Sequence, residues 1–231
     1  MKRIMWTISI ISLMGTAIVL HFMPEKVPMH YDLAGNIDRW GSKYDNLIFP
    51  VIILVMALFW TLFIIYYEKK ASSTVDEKES ASARTNAKVI GIVGLSMVAM
   101  FTIMQGFILC GAYNEAVSQT TKWSVDIGKV SVVLMGIIFI ILGNFMTKTR
   151  INSMVGVRVS WSMYNDNTWR KSNRFGAITI MISGILTIIT ALFVKNSFVS
   201  IIITMGYLFI AVILTLVYAY KVYKWKISNN N

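Results

Sequence analysis

Cysteine is almost missing from this 231-residue chain: one residue, Cys110, stands inside an apolar run. A single thiol closes no internal disulfide and builds no cysteine-based zinc site. Histidine occurs twice, at His21 and His30, so any metal site would depend on carboxylates. Proline occurs three times, which leaves the long apolar stretches nearly free of helix breakers. Charge is also scarce. Only 14% of residues are charged while 56% are hydrophobic, against about 25% and about 45–50% in soluble domains. A zincin motif, a nucleophile elbow, a phosphate loop and a dinucleotide fingerprint are all missing, so neither an enzyme nor a cofactor is expected.

What the chain has instead is apolar length. A helix crosses the roughly 30 Å hydrocarbon core with about 20 residues. Six runs reach that length: 4–23, 47–67, 89–111, 128–147, 176–194 and 198–220. Backbone polar groups must be paired within hydrocarbon, so these runs predict six transmembrane helices in an all-α integral membrane protein. The first run lacks a small-residue cleavage site and is read as an uncleaved span rather than a signal peptide. Only Lys195-Asn196-Ser197 separates the last two, which predicts a tight helical hairpin.

The net charge of +11 does not point to nucleic acid, because the basic residues cluster at the ends of apolar runs. The amino terminus, the second and fourth connectors and the tail hold 16 Lys and Arg; the alternate connectors hold six. The positive-inside rule then places both termini in the cytoplasm. The expected organisation is an amino-terminal transmembrane hairpin with an extracytoplasmic loop (1–70), a flexible Ser/Ala-rich cytoplasmic linker (71–88), and a four-helix membrane region (89–231). Trp60, Tyr66, Tyr67 and the tail aromatics Tyr218, Tyr220, Tyr223 and Trp225 are expected in the headgroup belts.

Two connectors are more elaborate than a turn requires. The outer one, MPEKVPMHYDLAGNIDRWGSKYD (23–45), begins with Pro24 and Pro28, which favour an extended exit from the first span. Ala34-Gly35-Asn36 is turn chemistry. Trp40-Gly41 suits the outer interface. His30, Asp32 and Asp38 have the residue types of a divalent-metal site, but their spacing fits no strong motif, and a hydrogen-bonded cap over helix ends is the plainer reading.

The inner connector, GVRVSWSMYNDNTWRKSNRFG (156–176), offers Ser162 or Asn165 as a helix cap with Asp166 in the first turn. Trp169, Arg170, Lys171 and Arg174 then fall on a short helix at the inner headgroup level. The alternative is a docking surface for a cytoplasmic protein, with Arg158, Arg170 and Arg174 as charged anchors and Trp161 or Trp169 as a buried one. Within the spans, Gln105 and Asn144 are the costliest polar groups and are expected to hydrogen-bond across helix interfaces. Neither Asp, Glu, Lys nor Arg falls at mid-membrane, which disfavours a proton-coupled carrier.

Taken together, the two connectors resemble a known family. The outer one is similar to a small outward hairpin domain of bacterial membrane proteins with a Pro-x-x-x-Pro-x-His start followed by Asp-x-Trp-Gly. Pro24, Pro28, His30, Gly35, Asp38, Trp40 and Gly41 match that pattern, and Asp32 lies within the same loop. The inner one resembles the signature of the SdpI family of toxin-immunity proteins, matched by Gly156, Arg158, Trp161, Trp169, Arg170, Lys171 and Arg174. It departs at Val159-Ser160, where the family often has Thr-Pro. The resemblance implies protection against a secreted peptide toxin met on the outer side, and retention of a cytoplasmic transcriptional repressor at the membrane. Direct contact with nucleic acid is not implied. A small transporter or lipid-handling protein is the competing reading, and a metal-assisted membrane hydrolase the third.

Overall fold

The computed structural model describes residues 1–228. Six helices are long and apolar enough to cross a membrane. They are α1 (Lys2–Phe22), α2 (Ile48–Ser73), α3 (Glu77–Ser118), α4 (Ile127–Met146), α5 (Asp166–Phe193) and α6 (Ser197–Ser228). Their outward residues are mostly apolar, for example Ile18, Val55, Leu62 and Phe209. Exposed apolar surface on this scale is a liability in water and the expected lipid contact in a bilayer. Pro50 lies in the first turn of α2, where it removes no intrahelical hydrogen bond.

The segment after α1 is not helical. Met23 ends α1 in extended geometry, and Lys26–Tyr31 (β1) pairs antiparallel with Ile37–Ser42 (β2). Pro28 sits opposite Trp40, beside a register irregularity, a tolerated place for a residue without an amide donor. So the extended exit expected from Pro24 and Pro28 is present, as a two-stranded ribbon within an otherwise helical protein. A 3-10 turn, Lys43–Leu47, leads into α2.

The stretch expected to be a flexible linker, 71–88, is helical except for three residues. α2 runs on to Ser73, and α3 starts at Glu77 after Thr74, Val75 and Asp76. Asp76 accepts the Glu79 amide at 2.8 Å, an N-cap bond, and Ser80 donates its hydroxyl to the Ala71 carbonyl at 2.6 Å. Glu, Lys, Ala and Arg are good helix formers, so the composition that suggests a linker supports a helix once it is capped.

The chain divides into two compact units, each built from two stretches. The first joins Met1–Phe59 with Gly94–Ser131. Its core packs Leu20, Met23 and Val27 against Leu109, Ala112 and Ala116. The second joins Trp60–Val93 with the chain from Val132 onward. There α4 and α5 meet backbone to backbone. A Cβ on Gly136 would lie 2.7 Å from the Gly184 carbonyl, and one on Gly143 would lie 2.7 Å from that of Ala177. Such pairing of small residues is a common route to tight helix contact in membranes. In the same unit, α5 and α6 are tied by Thr179–Thr215 (3.0 Å) and Thr190–Tyr207 (3.1 Å) hydroxyl pairs. Trp60 and Tyr67, expected in the headgroup belt, are instead buried in this unit.

Candidate functional site

Each unit carries one elaborated site. In the first, the ribbon gains a third partner from the α3–α4 loop. Ile37 N–H donates to the Thr121 carbonyl (2.9 Å), Trp123 N–H donates to the Gly35 carbonyl (3.0 Å), and Asn36 forms a bridge with Lys122. The Trp123 ring covers Gly35, whose φ is +81°. A Cβ there would lie 2.5 Å from the indole, so both backbone and space require glycine. Gly35→Ala should lower the unfolding free energy by about 1–3 kcal/mol through strain, with displacement of the ring adding to that. Thermal unfolding of the purified protein in detergent reads this; an unchanged midpoint would contradict the packing described.

Beneath this three-part platform lies a carboxylate that sequence reasoning does not single out. Glu115, in the last turn of α3, is 1% exposed. Its Oε2 accepts the Tyr31 hydroxyl at 2.5 Å, and its Oε1 accepts the Ser124 amide at 2.5 Å and hydroxyl at 3.0 Å. All three partners are neutral donors, which stabilise a buried carboxylate without an ion pair. Burial, and then Glu115 itself, pushes the Tyr31 phenol well above its ordinary range, so the proton stays on the phenol. Glu115 thereby ties β1, the end of α3 and the 119–126 loop together.

The outer-loop residues fall into two groups. Asp32 organises the hairpin turn by accepting the Ala34 amide, the Asn36 amide and the Asn36 side chain, each at 2.8 Å. The Asn36 side chain foremost holds its carboxyl below the usual range. His30 Nδ1 meets Asp38 Oδ1 at 2.7 Å on the exposed ribbon. His30, Asp32 and Asp38 are therefore not brought to one point. Among the described residues, His, Cys, Asp and Glu form no group of three placed to hold a metal ion. Pro24 and Pro28 shape the strand, Gly41 admits Met29 and Asp45 close to its backbone, and Trp40 remains 39% exposed. Lys43 is buried, donating to the Met23 carbonyl (3.2 Å) and pairing with Glu25 (3.0 Å), so it closes the exit from α1.

Gln105 behaves as expected of a polar residue in a span. Only 2% exposed, its Nε2 reaches Thr16 Oγ1 at 3.4 Å and the Asn46 carbonyl at 3.3 Å. Asn144 does not. It lies exposed near the end of α4, where water and headgroups suffice, so the expected cross-helix bond is corrected.

In the second unit the 147–165 connector is a framed loop. Asn152 accepts the Met154 and Val155 amides and donates to the Arg150 and Val155 carbonyls. Asn86 accepts the Arg150 amide (3.0 Å), and the Tyr67 hydroxyl accepts that of Ser153 (3.0 Å). Ser162 is fully buried and bonds to Val157 and Val159. Asn165, rather than Ser162, caps α5, in a reciprocal box with Thr168. No separate short helix forms, because α5 starts at Asp166 and runs on through the span.

Trp169 is the correction with most consequence. Neither at the headgroups nor available to a partner, it is 2% exposed and donates its indole N–H to the Thr149 carbonyl at 3.0 Å. Gly156 makes this possible. Its φ is +129°, and a Cβ would strike Asn173 and the Trp169 ring. Asn173, 1% exposed, accepts the Val157 amide at 2.9 Å and donates to the Trp169 carbonyl. Among the motif residues, Arg158, Arg170 and Arg174 are exposed. Lys171 lies over the Trp225 ring, 4.9 Å from its centre, and Trp161 packs edge-on against Tyr220.

Two regions of the chain, each holding part of one site, match known families. The model of the SdpI/YfhL protein family matches residues 148–219, and a domain of unknown function, DUF1648, matches residues 7–54. Immunity protein SdpI of Bacillus subtilis (strain 168) is 21% identical over 214 residues, covering 93% of this chain and 91% of that protein. No solved structure matches. With the framed loop in one matched region and the ribbon in the other, this multi-pass bacterial membrane protein is similar to the SdpI/YfhL family over residues 148–219 and to DUF1648 over residues 7–54.

Proposed function

We propose that the chain confers immunity to a secreted peptide toxin and passes the toxin's presence to a repressor held at the cytoplasmic face. The observation that carries this reading is the length of the likeness to Immunity protein SdpI, which takes in 93% of the chain and therefore both elaborated sites. The ribbon platform supplies the recognition surface. It is hydrogen-bonded to the α3–α4 loop, latched from below by Glu115, and presents Trp40 with the His30–Asp38 pair. A preorganised platform with an exposed aromatic limits the ordering cost of binding. In the second unit, Arg170 and Arg174 supply charged anchors beside a loop whose shape is fixed by Asn152 and Asn173. A relay also requires two conformations with different affinity for the cytoplasmic partner.

The test is survival. Cells lacking the gene are challenged with peptide secreted by their siblings, then complemented with the wild-type chain or with Trp40→Ala. Deletion should sensitise, wild type should restore resistance, and Trp40→Ala should restore it incompletely at equal membrane abundance. Unchanged survival on deletion would contradict immunity. Full restoration by Trp40→Ala would remove Trp40 from the recognition surface.

A further inference from the structure

In the second unit an apolar cavity of about 240 Å³ lies against α5, α6 and residues 156–159. Its wall includes Met146, Val157, Ile180, Leu208, Val212 and Leu216. Val212 is 54% exposed on the lipid-facing surface of α6, so the cavity opens where bilayer lipids are. Thr179 and Thr215 are also on the wall, but their hydroxyls bond to each other at 3.0 Å, and that of Thr179 also reaches the Gly176 carbonyl at 2.9 Å. Those hydroxyls are engaged within the wall, leaving little for an entering peptide backbone to pair with. Peptide amides placed there would lose their water bonds without replacement, whereas a hydrocarbon chain has none to lose. The one charged residue on the wall is Arg158, which is exposed and has no ion-pair partner among the described residues.

We infer that this cavity holds an acyl chain of an anionic phospholipid whose headgroup phosphate is bound by Arg158. The guanidinium offers a planar fork that matches phosphate oxygens. Basic pockets between membrane helices on the cytoplasmic side are suited to anionic lipid headgroups, and the distribution of Lys and Arg places residue 158 on that side. The lipid then braces the loop that carries Gly156 and Arg158 against α6. This assignment does not depend on the toxin reading.

The test reconstitutes the full chain in vesicles of phosphatidylglycerol or phosphatidylcholine and counts lipids retained after extraction by native mass spectrometry. Wild type should keep one phosphatidylglycerol per chain in preference to phosphatidylcholine. Arg158→Gln, a change at an exposed side chain, should lower retention of phosphatidylglycerol about fivefold and that of phosphatidylcholine less, because the choline cation offsets the charge of the same phosphate. Ala211→Phe, which projects a ring into the cavity, should abolish retention of both. Equal retention of the two lipids by wild type would overturn the assignment, as would unchanged retention in Arg158→Gln. So would a photocrosslinker at position 212 that captures a peptide in place of lipid.

Discussion

Trp169→Ala is expected to cost about 3–5 kcal/mol, the range for truncating a large buried aromatic. With total stabilities of about 5–15 kcal/mol, a loss of that size reshapes the second unit. The indole is the surface on which the 147–165 loop is laid. It fills the space that Gly156 leaves, sits beside Asn173, and donates to Thr149. Trp169→Phe keeps much of the ring and loses the hydrogen bond, so about 1 kcal/mol is expected from that change. Thermal unfolding in detergent should therefore rank wild type, Trp169→Phe and Trp169→Ala in that order. If Trp169→Ala melts with wild type while losing a cytoplasmic partner, the residue is an anchor for that partner and the interior placement is wrong.

Glu115→Ala should be comparably damaging. It leaves the Tyr31 hydroxyl and the Ser124 amide without an acceptor, at about 2–6 kcal/mol in total if each orphaned group costs about 1–3. The loss should appear locally, as faster amide exchange in β1 and in residues 119–126, the elements that Glu115 joins. Tyr31→Phe tests the same latch from the other end, and a double-mutant cycle between the two isolates their coupling. The latch also predicts a response to alkali. The Tyr31 phenol is raised on folding by burial and by Glu115. Its contribution is complete below the unfolded tyrosine value near 10 and drains as pH climbs past that toward the higher folded value. Wild type should lose stability above about pH 10 more steeply than Tyr31→Phe. Parallel curves would contradict the latch.

Six spans were legible because hydrocarbon demands about 20 apolar residues of a helix, and that demand is written locally. The extended exit and its turn were legible for a similar reason, but their pairing into a ribbon was not. Pro24, Pro28 and the Ala34-Gly35-Asn36 turn act on their own neighbourhood. What stayed hidden was pairing at a distance. Tyr31 and Glu115 stand 84 residues apart, and Tyr67 and Ser153 stand 86 apart. One sequence holds no signal linking such positions, so nothing in it singles out Glu115. Trp169 was misplaced because Trp beside Arg and Lys suggests a headgroup belt, whereas Asn152 and Asn173 build a lid of loop backbone over it. The helix after Asp76 had a visible cap, and the Ser/Ala-rich composition masked it.

Recognition on one face and reporting on the other require the ribbon and the framed loop to be reached by different solvents. Labelling by a membrane-impermeant maleimide tests this directly, in a Cys110→Ser background. Leu33→Cys stands at the exposed hairpin turn and Ser160→Cys at an exposed position of the inner loop. In intact cells the reagent should modify Leu33→Cys, and it should reach Ser160→Cys only after the membrane is opened. Labelling of position 160 in intact cells, with position 33 protected, would invert the orientation and contradict the account.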